Sequence, residues 1–310
     1  FGQPPNPCVC PICLGMPGSL PTLNRQAVEL VMRTSLATNC DIPRHASFDR
    51  KNYYYPDIPK NYQISEQYAI IGVNGYLDFA CGDTMRRCRI NNIHLEEDAG
   101  KNVHPETPGA DYSLVDLNRA GMALMEIVTE PDLRSLEEAE AFMKAMRSLL
   151  QYTDVSDCKM QEGSLRFEIN VSVRPQGSDV LPPAYVEVKN VGSMKTVLQA
   201  GAYEIKRQTK LYRASQEMRK ETRLWDEARK ATRAMRLKEG AMDYRYFPDP
   251  DLVELDLTPE WQEKVRQDIP ELQPARETRV VEQYGIPLYD ASVLTQSPAV
   301  ADYFEAGIAA

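Results

Sequence analysis

The spacing of apolar and polar positions changes period several times along the chain, and each change marks an element. Residues 25–38 carry Ala27, Val28, Val31, Ser35 and Leu36 on one helical stripe, with Asn24 placed to cap it. Over 136–152, Leu136, Ala139, Phe142, Met143, Met146 and Leu150 form an apolar face behind the capping-box pair Ser135 and Glu138. A third helix is predicted over 194–212. Thr258-Pro259 predicts the start of a fourth, a cap followed by proline at the first helical position. Elsewhere the period is two. Across 164–174, Leu165, Phe167, Ile169, Val171 and Val173 face one way, and Ser164, Arg166, Glu168, Asn170, Ser172 and Arg174 the other. Strand 185–191 sets Val186 and Val188 against Glu187 and Lys189. Asn74-Gly75, between Ile70-Ile71 and Tyr76-Leu77, predicts a hairpin turn. Strands and helices in this irregular order predict an α+β fold rather than a doubly wound one.

Some strands carry more charge than a plain scaffold needs. In 88–98, Cys88, Ile90, Ile93 and Leu95 are apolar while His94, Glu96 and Asp98 alternate with them. The phase slips at Asn91-Asn92, which predicts a bulge, a device that re-aims side chains near sites. Glu97 adds a carboxylate on the other face or at the strand end. Glu126 stands alone in the apolar run Leu124-Met125-Glu126-Ile127-Val128, costly if buried without a cation. Glu96, Glu97 and Glu126 are what a hard Mg²⁺ takes, with phosphate oxygens completing the shell. The spacing equally allows Glu96 and Glu97 to be solvated and Glu126 to pair with an arginine.

Composition narrows the class. The chain has 310 residues, 43% hydrophobic and 26% charged, with a net charge of −9. That is a soluble globular composition, and no apolar run approaches the ~20 residues of a membrane helix. The average charge argues against a general nucleic-acid surface, yet 206–238 holds twelve Lys/Arg against four acids, a local +8. Seven cysteines suit reduced thiols better than a disulfide scaffold. Cys10-Pro-Ile-Cys13 has the spacing of one zinc half-site, to which Cys8 could add a third ligand. There is no Gly-x-Gly-x-x-Gly and no phosphate loop. Of the three histidines only His94 lies in a predicted strand; His45 and His104 fall in loops. After about residue 250 the texture becomes helical and proline-punctuated, which predicts one domain over 1–250 and a linker with the start of a helical domain over 251–310.

A run of longer motifs carries a family resemblance. These are Cys10–Gly18, Phe48–Asp57, Tyr62–Ser65, His94–Lys101, Ser113–Gly121, Glu126–Asp132, Glu162–Arg166 and Asp243–Asp251, in that order. The chain resembles the B-subunit family of the aspartyl/glutamyl-tRNA amidotransferases over nearly its whole length. The resemblance implies a curved antiparallel sheet of the glutamine synthetase kind with flanking helices. It implies ATP- and Mg²⁺-dependent phosphorylation of the side-chain carboxylate of Glu-tRNA(Gln) or Asp-tRNA(Asn), followed by amidation with ammonia from an A subunit. A small C subunit would complete the heterotrimer, in the cytoplasm or an organelle. Glu96, Glu97 and Glu126 match the family's metal carboxylates. Lys51 and Arg166 are candidates for contacting phosphate or the activated carboxyl, and Cys10 and Cys13 match half of a zinc site found in some members.

Members of the family begin with a Gly-Leu-Glu-Val-His strand and end in a helical tail, and neither is found here. The expectation is therefore a chain truncated at both ends and inactive by itself. Two other readings stay open on sequence: a tRNA-binding or scaffolding fragment that uses the basic stretch, and a free-standing carboxylate–amine ligase.

Overall fold

The computed structural model describes residues 2–103, 105, 111–178, 180–235 and 243–309. His104, Arg236 and Lys238 lie outside the described residues. In chain order, α1 (Arg25–Ala37) precedes β1 (His45–Ala46), β2 (Asp49–Asn52), β3 (Tyr62–Ser65), β4 (Gly72–Cys81) and β5 (Thr84–Glu97). Next come β6 (Lys101–Val103), β7 (Leu114–Asp116), β8 (Ala123–Thr129), α2 (Leu136–Tyr152), β9 (Ile169–Val171) and β10 (Val186–Lys189). After α3 (Met194–Arg213) follow β11 (Glu221–Asp226), β12 (Ala231–Ala234), β13 (Phe247–Pro248) and β14 (Leu255–Asp256). The remaining elements are α4 (Pro259–Gln267), α5 (Gln273–Tyr284), α6 (Leu288–Leu294) and α7 (Pro298–Ala309). The class is α+β, as the patterning predicts.

Local signals account for the helix starts. Asn24 Oδ1 accepts from the Gln26 and Ala27 amides, Ser135 Oγ from Glu138, Ser193 Oγ from Thr196 and Thr258 Oγ1 from Trp261. Glu138 reaches back one residue beyond its cap, to the Arg134 amide at 2.7 Å. Helices α1 and α2 cover one face of the larger sheet. Their Val28, Val31, Met32, Phe142, Met146 and Leu150 join Ile64, Ile90 and Ile93 in one core. Leu257 and Val265 of the α4 region belong to that core as well. Met143, on the other flank of α2, enters a second core with Val186, Val188, Val197 and Trp225. Thus α2 bridges the backs of both sheets.

The larger sheet is antiparallel, in the order β13-β2-β3-β5-β4, with β8 on the far side of β5. The smaller runs β12-β11-β10-β9 and is not wholly antiparallel. β10 and β11 are parallel because α3 carries the chain back to the same end between them. Two sequence expectations need correction. The Asn74-Gly75 hairpin is absent: β4 continues through it with Asn74 at φ +56°, and the turn lies at Gly82-Asp83, where Cys81 pairs with Thr84 and Gly82 has φ +60°. Gly75 is small because the end of α1 comes close; a Cβ there would sit 2.2 Å from Cys40 Sγ and 2.8 Å from the Thr38 oxygen. Among the described residues the long 164–174 strand has a ladder only over 169–171, where β10 pairs with it at three positions. The inside–outside alternation still holds along it, with Leu165, Phe167 and Ile169 half-buried and Arg166, Glu168 and Asn170 exposed.

Candidate active site

The helices leave the opposite faces of both sheets open, and the charged residues gather there. On β5 the phase break falls where the sequence places it. Ile90 pairs with Thr129 but Asn92 with Val128, so Asn91 is the extra residue of a bulge. The bulge sends Ile93 and Leu95 into the core and His94 and Glu96 to the open face. Glu126 of β8 lies directly across from His94. Ligand atoms of His94, Glu96 and Glu126 all fall within 4.8 Å of one another, the only such trio of His, Cys, Asp or Glu among the described residues.

The electrostatics of the trio follow from its half-enclosed position. His94 Nδ1 lies 2.8 Å from the Asn92 side-chain oxygen. An amide oxygen only accepts, so Nδ1 carries the hydrogen and the Nε2 lone pair faces Glu126 Oε2, 3.6 Å away. Burial pushes the imidazole below its usual range, against the pull of Glu126, which keeps it neutral. Burial also raises the Glu96 carboxyl to about 7; Lys51 opposes the shift and Glu126 adds to it. Two carboxylates and a neutral imidazole facing one point form a donor set for a divalent cation.

The other sequence candidates divide. Lys51 on β2 shares the open face, since it pairs with Gln63 and Ser65 pairs with Glu96. Its ammonium sits 5.0 Å from the centre of the Tyr244 ring. Tyr244 is held there by Asn52, whose backbone N–H donates to its carbonyl at 2.9 Å. The motif that contains Tyr244 is fastened to the Lys51 motif by Arg50, which pairs with Asp249 and Asp251 at 2.9 and 2.7 Å. Arg166 stands at the rim, exposed, with Nη2 3.3 Å from an Asp98 oxygen that Arg119 also binds.

Glu97 points to the opposite face from Glu96. Its carboxylate takes Lys60 Nζ at 2.5 and 2.6 Å and the Ile64 amide at 3.0 Å, so the structure does not bring it to the trio. Cys10 and Cys13 have their sulfurs 3.3 Å apart. The Cys13 backbone N–H lowers the Cys10 thiol, and burial raises that of Cys13. Among the described residues no third His, Cys, Asp or Glu converges on the pair, so Cys8 stands apart from it.

Sequence reasoning passed over two groups. His94 was visible as a strand residue, but its partnership with Glu126 depends on the register of two strands 32 positions apart along the chain. From the smaller sheet, Lys189 lies 3.2 Å from Glu187 and 3.7 Å from Glu168, and Thr222 donates to Glu187 at 2.8 Å. After burial, which lowers it, Glu168 and Glu187 raise the Lys189 ammonium. Their signal was the charged face opposite Phe167, Ile169, Val186 and Val188.

Fold and site together define an α+β protein with an ionic face on its antiparallel sheet and a second charged face on its smaller, mixed sheet. The GatB/GatE catalytic domain model matches residues 1–263. The B subunit of the aspartyl/glutamyl-tRNA(Asn/Gln) amidotransferase of Moorella thermoacetica is 52% identical over 309 residues, covering 100% of this chain and 65% of its own length. Its counterparts in Caldanaerobacter subterraneus and Geobacillus thermodenitrificans are 51% and 52% identical, with 63% and 64% of their lengths covered. The chain belongs to the GatB/GatE catalytic domain family. It spans just under two thirds of the length of these curated relatives. No helix among the described residues is long and apolar enough to cross a membrane.

Proposed function

We propose that the chain carries the carboxylate-activating centre of a tRNA-dependent amidotransferase. In this reading ATP phosphorylates the side-chain carboxylate of Glu-tRNA(Gln) or Asp-tRNA(Asn), and ammonia from an A subunit displaces the phosphate while a C subunit steadies the assembly in the cytoplasm. Membership of the family supports it. The observation that carries it is the His94–Glu96–Glu126 trio on an open sheet face.

The trio fits a divalent cation, because a positive charge would relieve the burial and repulsion that hold Glu96 near 7. Mg²⁺ bound there would neutralise charge on the phosphoryl group in transfer. Glu96, Glu126 and His94 would be its protein ligands. Lys51, beside them and free of a carboxylate partner among the described residues, would meet the phosphoryl oxygens. Arg166, on the rim, would orient the carboxyl of the aminoacyl end. Glu97 with Lys60 would fix the end of β5 from behind. The charged faces of the two sheets would together be the counterpart of a glutamine synthetase-like cradle, with Tyr244 beside Lys51. We also propose that Cys10 and Cys13 supply two thiolates to Zn²⁺, which their close sulfurs and the lowered Cys10 thiol favour.

The test is Glu126→Gln, assayed with A and C subunits for ATP-dependent amidation and for hydroxylamine-trapped acyl phosphate. Both should fall at least ~100-fold while tRNA affinity stays within about twofold. Undiminished acyl phosphate formation would sink the reading. Product from free glutamate without tRNA would point instead to a free-standing ligase.

A further inference from the structure

β3 and β4 lie end to end along one edge of β5, where Ser65 pairs with Glu96 and Gly72 with Ile93. Between those two points no strand of the described residues lies beside the edge, and the gap falls at His94 and Leu95. A buried amide left open there would keep its full desolvation penalty. Glu66, the first residue after β3, fills the gap. Its Oε2 accepts the Leu95 N–H at 2.9 Å, and the residue is 2% exposed. Its other oxygen is buried and has no hydrogen-bond partner among the described residues. A backbone carbonyl from an uninterrupted strand would satisfy the amide at far lower cost than a lone carboxyl in the core. The loop that begins at Glu66 is pinned in turn: Asp49 Oδ2 accepts from the Gln67 and Tyr68 amides at 3.0 and 3.3 Å.

We propose that Glu66 is a positioning residue for the trio, holding the Leu95 amide so that His94 and Glu96 keep their separation and aim. The inference rests on the trio binding a divalent cation. Leu95 is the single residue between the two β5 donors, and its side chain is buried on the opposite face. Rotation of its peptide would therefore swing His94 and Glu96 together. Groups that orient metal ligands from behind commonly change affinity about 10–100-fold when removed.

The experiment is a Mn²⁺ titration followed by electron paramagnetic resonance, on the intact protein purified with its natural subunits. Glu66→Gln keeps an oxygen for Leu95 and should bind within about twofold of wild type. Glu66→Asp keeps the carboxyl but is one methylene short, and should lose at least about tenfold, as should Glu66→Leu. The Asp variant keeps the test usable if the Leu variant fails to fold. Glu204→Gln, in the other sheet's core, should lower the melting temperature and leave Mn²⁺ affinity unchanged, which separates positioning from general destabilisation. If the Asp and Leu variants bind like wild type while Glu126→Gln has lost Mn²⁺, this inference alone is overturned. If wild type does not bind Mn²⁺, or Glu126→Gln binds it undiminished, the cation reading falls and takes this one with it.

Discussion

Glu66 and Glu204 are both almost completely buried, one beside each sheet, yet their surroundings treat the negative charge in opposite ways. Around Glu204 on α3, Arg207 donates from Nε at 3.0 Å and Nη2 at 2.9 Å, Gln208 donates at 3.1 Å, Thr232 donates its hydroxyl, and Arg223 stands at 3.3 Å. Burial pushes this carboxyl up, but Arg207, then Thr232 and Gln208, bring it below the usual range. Among the described residues Glu66 has no ion pair. Burial raises it to about 8, the Leu95 and Ile71 amides oppose that only in part, and Asp49 adds to it. Burial alone does not decide ionisation; the number and charge of the donors do. The first arrangement ties α3 to β11 and β12, a structural role. The second tolerates an uncomfortable carboxyl beside the His94–Glu96–Glu126 trio, where position outweighs stability.

The largest effect should come from breaking the satisfied network. Glu204→Ala leaves Arg207 and Arg223 facing each other with Glu221 as their remaining acid, and should cost about 3–5 kcal/mol in urea unfolding. A loss below about 1 kcal/mol would mean the arginines find water or Glu221 without penalty.

The two carboxyls should also give opposite pH slopes. Glu66 has a folded value raised above its unfolded one, so the native state holds the extra proton. Its contribution to stability is present at low pH and is lost as pH rises from about 4.5 to about 8, by at most about 1.4 kcal/mol per unit. Glu204 is lowered, so its contribution is present above the unfolded value and is lost on acidification. Thermal melts between pH 5 and 8 should therefore show a downward slope in wild type that flattens in Glu66→Gln. An unchanged slope in that variant would remove Glu66 as the cause.

How much of this was legible without coordinates depends on the range of each signal. The bounds of α2 could be read because the Ser135 cap and the apolar stripe lie within the helix itself. The Asn91 bulge could be read from a slip in alternation. Gly75 was misread because its reason, the approach of Thr38 and Cys40, lies some 35 positions away along the chain. For the same reason the alternation on β5 put His94 and Glu96 on one face, while only the β5–β8 register places Glu126 with them. Glu96 and Glu97 look equivalent as adjacent acids, yet on a strand neighbours must face opposite sides, and here Lys60 occupies the second. Glu66 carried no local signal, because its role comes from where two strands stop.

The smallest effect should come from a carboxylate that has its cation but not its burial. Asp78, at the far end of the β4–β5 hairpin, receives Arg87 at 2.7 Å on both oxygens, and that pairing lowers its carboxyl as pairing lowers Glu204. Here, however, the two side chains are 42% and 55% exposed, so water screens the charges in the folded state and supplies nearly the same solvation in the unfolded one. Arg87→Ala should move the melting temperature by less than about 2 °C, and the difference should vanish in about 1 M salt. A shift as large as that of Glu204→Ala would show that a lowered carboxyl is by itself a measure of stability, and would overturn the contrast drawn between Glu66 and Glu204. A small, salt-sensitive shift would confine that measure to acids whose partners are buried with them.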